Sequence, residues 1–113
     1  MERLNDYPDL AYAHFTEPLA PVDHVPYAVK EVAKHFRPRY KGTLLINCGF
    51  RRDSGNRVLE EGHADAVAFG KPFISNPDLV ERIRLGAPWA RWDENTFYVP
   101  GVKGYTDYPR LEG

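Results

Sequence analysis

Residues 65–79 read DAVAFGKPFISNPDL. Ala66-Val67-Ala68-Phe69 is an apolar run with no polar alternation, and it stops at Gly70-Lys71. Ser75-Asn76-Pro77-Asp78 then opens a helix. A short run that is apolar on both faces and is followed at once by a helix signal fits a strand buried in a parallel sheet. Upstream, Gly42 leads into Thr43-Leu44-Leu45-Ile46-Asn47, a second such strand closed by Cys48-Gly49. Asp53-Ser54 can cap a helix running through Val58 and Leu59 to Gly62. Earlier still, Leu10-Ala11-Tyr12-Ala13-His14-Phe15 reads as a strand ended by Glu17-Pro18. Residues 19–25 form a loop. From Pro26, apolar residues recur with helical spacing at Ala28, Val29, Val32, Ala33 and Phe36, and Pro38 stops that helix. In the last unit Asn76 is the N-cap candidate and Pro77 fits the first helical position. Leu79, Val80 and Ile83 are expected to face inward, and Gly86 to end the helix. Residues 87–113 are aromatic, proline-rich and irregular.

The order is therefore β-α-β-α-β-α plus a tail, the pattern of an α/β fold with a parallel sheet. Three parallel strands leave two open edges, which natural domains seldom tolerate. A closed eight-stranded barrel takes ~250 residues, and 113 residues supply about three of its eight units. The expected fold is a piece of a (β/α)8 barrel spanning residues 1–113. A compact doubly wound domain is the alternative.

Composition narrows the function. With 42% hydrophobic and 27% charged residues the chain reads as soluble and globular. A net charge of −1 gives no basic field for nucleic acid or an anionic membrane. No apolar run approaches the ~18 residues of a membrane span, and the first residues have no secretion core. Cys48 is the only cysteine, so an internal disulfide is impossible and a reducing, cytoplasmic setting is expected. No cluster has metal-ligand spacing.

The strand ends carry the chemistry. Ligands of βα folds sit at the carboxyl ends of strands. A glycine there lets an anion approach backbone N–H groups with no Cβ in the way. Lys71 adds a point charge, and a short helix starting near Pro72 would aim its dipole at the same spot. Gly70 and Lys71 are thus candidates to hold a phosphate, as the loops after the last two strands of such barrels commonly do. The bland alternative is a turn glycine and a solvated lysine.

The stretches INCGFRRDSGNRVLEEGHADAVAFG, FGKPFISNPDL, GAPW, TFY and GYTDYP, in this order and spacing, resemble the C-terminal end of the Old Yellow Enzyme family. These are FMN-dependent NAD(P)H:flavin oxidoreductases, including plant 12-oxophytodienoate reductases. LAYAHFTEP is similar to the family's strand 6. The resemblance implies strands 6 to 8 of a (β/α)8 barrel, with FMN at its mouth and NAD(P)H as hydride donor. It also implies hydride transfer through the flavin to activated alkenes such as enones. It places the phosphate-binding backbone at Cys48 and Gly49 and at Phe69, Gly70 and Lys71, and aromatic rings near the flavin at Phe97 and Tyr98. Cys48 and Phe50 depart from the family's usual Gly-Gly-Tyr. A backbone N–H contact survives the cysteine if its φ stays negative. Lys71 stands where the family has arginine, keeping the charge but losing the bidentate fork.

The family's substrate-anchoring His/Asn or His/His pair and proton-donating tyrosine lie on earlier strands. His14, His24, His35 and His63 do not match them, so no catalytic residue is assigned. Trp89, Trp92, Tyr105, Asp107 and Tyr108 are expected to fix the tail. The chain is expected to be an FMN-binding segment without turnover of its own. The alternative is a non-catalytic domain for phosphate-bearing ligands or a protein partner, with self-association or barrel complementation through its open strand edges.

Overall fold

The computed structural model describes residues 2–112. They form two compact units, one up to Ala68 and one from Phe69 onward.

The first unit holds the three expected strands, β1 (Ala13–Thr16), β2 (Leu44–Asn47) and β3 (Ala66–Ala68). They form one parallel sheet in the order β1-β2-β3. His14 lies opposite Leu45, and Ile46 opposite both Phe15 and Val67. Leu44 and Ile46 of the central strand are fully buried. With Ala33, Tyr40 and Ala64 they make the core, against which Phe15, Val32, Phe50, Val58 and Val67 pack. Central apolar positions bury most deeply because β2 is the one strand paired on both sides.

Asp65 fixes the entry of β2. Its Oδ2 accepts the Leu44 N–H at 2.8 Å and an Arg37 guanidinium N–H at 2.9 Å. The Leu44 N–H foremost, with Arg37 in support, holds the Asp65 carboxyl below its ordinary value against the opposing effect of partial burial. Arg37 also donates to the carbonyls of Tyr40 and Gly42.

The helix expected from Pro26 is shorter. The α-helix α1 covers Val32–Phe36, followed by a 3-10 turn at Arg37–Arg39 that contains Pro38. Residues 26–31 turn instead, with Tyr27 at a φ of 66°, a left-handed conformation that no right-handed helix contains. The helix starts where an acceptor is waiting. The Glu17 carboxylate, just past β1, accepts the N–H groups of Val32 and Ala33 at 2.8 and 3.0 Å, the role an N-cap normally fills. The second helix, α2, covers Arg52–Glu60. Its N-cap is Arg51, so the expected caps Asp53 and Ser54 lie inside the first turn, from where Ser54 accepts the Arg51 N–H at 2.9 Å. A single 3-10 turn at Glu2–Asp6, unforeseen in the sequence, precedes β1.

The second unit contains α3 (Lys71–Ser75), α4 (Leu79–Leu85) and a 3-10 turn at Glu94–Thr96. Gly86 ends α4 as expected, at a φ of 69°. Three expectations for α4 change. Its N-cap is Asp78, not Asn76, so Pro77 lies before the N-cap and not at the first helical position. Val80 is 68% exposed while Leu79 is fully buried.

Asn76 is itself fully buried and serves as a staple. Its amide donates to the carbonyls of Pro72 and Ala90 at 2.9 and 3.2 Å, and its Oδ1 accepts the Ala90 N–H at 2.7 Å. Asp78 and Arg82 form a buried pair, Nε to Oδ1 at 2.8 Å. Arg82 continues to the carbonyls of Pro88 and Pro109, while Asp78 Oδ2 accepts the Leu111 N–H at 2.7 Å. The irregular tail is thereby tied to α4 at both ends. Among the described residues no helix is long and apolar enough to cross a membrane.

Candidate functional site

The first strand end is Asn47-Cys48-Gly49, after β2. Cys48 has a φ of +89° and Gly49 a φ of +77°. The condition set for a Cys48 backbone N–H contact, a negative φ, is therefore not met. The backbone takes a left-handed path that two glycines would adopt freely and that a side chain adopts only under strain. A Cβ on Gly49 would meet only Leu19 Cδ2, at 3.6 Å, so Gly49 is required by conformation and not by crowding. Cys48 is a half-buried free thiol. Beside it, Asn47 Oδ1 is buried with no hydrogen-bond partner among the described residues. Composition gave no hint of that orphan, because an asparagine at a strand end reads as an ordinary turn residue. Cys48, Gly49 and Phe50 also line a cleft of about 320 Å³ with Glu17, Lys34 and Arg57.

The second strand end is Phe69-Gly70-Lys71, in the second unit. Gly70 is the N-cap of α3, its carbonyl accepting the Phe73 N–H at 2.9 Å. The short helix expected near Pro72 starts one residue earlier, with Pro72 in its first turn. A Cβ built on Gly70 meets nothing within 4 Å, so this backbone faces open space in which a ligand could lie. Phe69 packs edge-on against Trp89, ring centroids 5.7 Å apart at 89°.

Lys71 has a partner that the sequence did not announce. Its Nζ lies 2.9 Å from Glu94 Oε1, and Trp92 Nε1 donates to the same oxygen at 3.3 Å. The Lys71 ammonium first, then the indole N–H, holds the Glu94 carboxyl below its ordinary value. The signal was faint, since 23 residues separate Lys71 from Glu94.

Three residues after Glu94 come Phe97 and Tyr98, in edge-to-face contact with centroids 6.5 Å apart at 78°. Phe97 is half-buried. Tyr98 is fully exposed at a φ of 59°, an aromatic ring held out from the unit by a left-handed backbone. The segment is anchored from behind. Asp93 Oδ1 accepts the Asn95 N–H at 3.0 Å, and the Asp93 N–H donates to the Tyr108 hydroxyl at 3.1 Å. A Cβ on Gly104 would fall 2.0 Å from Thr96 Oγ1, so only glycine lets the chain pass there. Asp107 accepts the Gly104 N–H at 2.7 Å. Asp107 and Tyr108 thus fix the tail as expected, whereas Tyr105 is largely exposed. Among the described residues no group of histidine, cysteine and acidic side chains could hold a metal, and His14 is exposed on β1.

Parallel strands alternating with helices, with glycines at the carboxyl ends of the last two, are what a segment of a βα barrel presents. The sequence profile of the NADH:flavin oxidoreductase / NADH oxidase family matches residues 1–89, and the chain belongs to that family. It is 40% identical over 113 residues to the putative 12-oxophytodienoate reductase 3 of Oryza sativa subsp. japonica, covering 99% of this chain and 30% of that one. The 12-oxophytodienoate reductase 2 of Arabidopsis thaliana is 39% identical with the same coverage. Among solved structures, a variant of NCR from Zymomonas mobilis superposes with a TM-score of 0.82 at 33% identity, over 97% of this chain and 35% of that one. Morphinone reductase superposes at 0.76 with 42% identity, over 91% of this chain and 27% of that one, and has also been solved in complex with tetrahydroNAD. The chain spans about 30% of the length of the curated relatives it matches. It is the C-terminal portion of the family's barrel, and the doubly wound alternative falls away.

Proposed function

We propose that this chain is the FMN-binding segment of an NAD(P)H-dependent oxidoreductase that reduces activated alkenes of the enone type. The observation that carries the reading is the family match over residues 1–89, which takes in both glycine-bearing strand ends. The residues present suit the cofactor. Gly70 leaves room beside its backbone, and Gly49 takes a left-handed path that glycine adopts freely. Gly70 and Lys71 are assigned to the phosphate, Lys71 supplying the charge. The backbone at Cys48 and Gly49 is assigned to the same cofactor. Phe69, with its ring fixed by Trp89, and the Phe97-Tyr98 pair are assigned to its apolar surroundings. When bound, FMN supplies the hydride relay between nicotinamide and alkene. The chain's own part is to bind and orient; none of its residues is assigned a proton transfer.

Two measurements test this. FMN should raise the melting temperature of the chain and riboflavin should not, because the phosphate is the group it is built to hold. The chain supplied with FMN, NADPH and an enone should show no turnover. Stabilisation by riboflavin equal to that by FMN would refute the phosphate assignment, and turnover would refute the division of labour.

One observation favours a second reading, a non-catalytic interaction domain. β1 and β3 each pair on one side only, and an unpaired parallel strand is a template for another chain. In that case gel filtration should give a defined dimer or a complex with a complementary barrel segment.

A further inference from the structure

We propose that Glu94 is an internal counter-ion that occupies Lys71 until an anionic ligand displaces it. This rests on the assignment of Gly70 and Lys71 to a phosphate. The Lys71 ammonium and the Glu94 carboxylate lie 2.9 Å apart, with side chains 49% and 64% exposed. An exposed pair of this kind is weak and exchangeable. A phosphate dianion presents more charge to the ammonium than one carboxylate does, and it can approach from the open side of Gly70, where nothing lies within 4 Å of a Cβ position.

The geometry also provides for the displaced carboxylate. Trp92 Nε1 already donates to Glu94 Oε1 at 3.3 Å, so the carboxylate keeps a donor when Lys71 leaves. The backbone beneath Glu94 does not depend on Lys71. It is held by Asp93 through the Asn95 N–H and by the Tyr108 hydroxyl. Lys71 can therefore exchange partners without unfolding the turn that carries Phe97 and Tyr98. Ligand binding costs the Lys71–Glu94 contact, and the site discriminates against flavins without a phosphate, which offer no replacement for it.

The test uses Glu94→Gln in the full 113-residue chain, with FMN and riboflavin as probes and Lys71→Met as background. Glu94→Gln should tighten FMN by about two- to fivefold, the scale of one exposed ion pair. It should leave riboflavin unchanged and lose its effect in the Lys71→Met background. Equal FMN affinity in wild type and Glu94→Gln would overturn the counter-ion and leave the phosphate assignment standing. Saturable FMN binding in neither protein would refute the phosphate assignment and the competition with it. An independent readout is the titration of the Glu94 carboxyl carbon by NMR. Its midpoint should rise in Lys71→Met, and an unchanged midpoint would overturn the pairing whatever the flavin does.

Discussion

Cys48 is where one residue matters most. It holds a φ of +89° next to a glycine at +77°, and an L side chain in that region costs on the order of 1 kcal/mol or more. Cys48→Gly should therefore raise stability by about 1 kcal/mol, checked as an upward shift of the melting temperature. A fall would mean that the thiol's half-buried packing outweighs the strain. At Lys71 the sequence gave the charge and the strand end but not the partner. Nothing in a linear reading joins Lys71 to Glu94 across 23 residues, because the pair depends on how the 87–98 segment returns along its unit. The same holds for Asn47, whose unpartnered Oδ1 is visible only once the strand is packed.

The strands were legible because burial on both faces leaves a simple signature, and their parallel pairing followed from the alternation with helices. The helices were less so, for a reason that can be tested. Apolar spacing at Ala28 and Val29 continued the helical period, yet α1 begins only at Val32, where the Glu17 carboxylate receives two N–H groups. Glu17→Ala should cost about 1 kcal/mol, as loss of an N-cap does, with helical circular dichroism falling slightly. In α4 the helix starts two residues later than its signal suggests. Asn76 was spent on Ala90, and Asp78 took the cap position while binding Arg82 and the Leu111 N–H.

The element-scale charges set a pH dependence. The Leu111 N–H first and Arg82 next hold the Asp78 carboxyl below its ordinary value, as the Leu44 N–H and Arg37 do for Asp65. A depressed folded pKa gives stability that is fully present above the unfolded value of about 4. It is lost as pH falls through the folded value, so denaturation midpoints should hold constant above pH 5 and drop below about 4. Arg82→Ala removes the donor shared by Asp78 and the Pro88 and Pro109 carbonyls; it should lower the melting temperature and flatten that acid limb. An unchanged limb would mean the pair contributes nothing to acid stability.

At the scale of the whole molecule, the resemblance legible in a few stretches proved to be family membership: the family profile matches residues 1–89, and TFY and GYTDYP beyond it fall in the span aligned with a 12-oxophytodienoate reductase of rice. What the sequence could not show is how much of the barrel's work three strands can do. A barrel closes its edges, and the sheet here has two outer strands paired on one side only. Gel filtration of the chain should accordingly show aggregation, and a folded monomer would show that the edges are protected within the chain.

The most direct measurement is a fluorescence titration of FMN with the chain, with riboflavin and Lys71→Ala as controls and circular dichroism to establish that each protein is folded. Saturable binding that requires the phosphate and weakens severalfold in Lys71→Ala is the expected result. No binding by a folded chain, or equal binding of riboflavin, would contradict the claim that these strand ends hold a flavin phosphate.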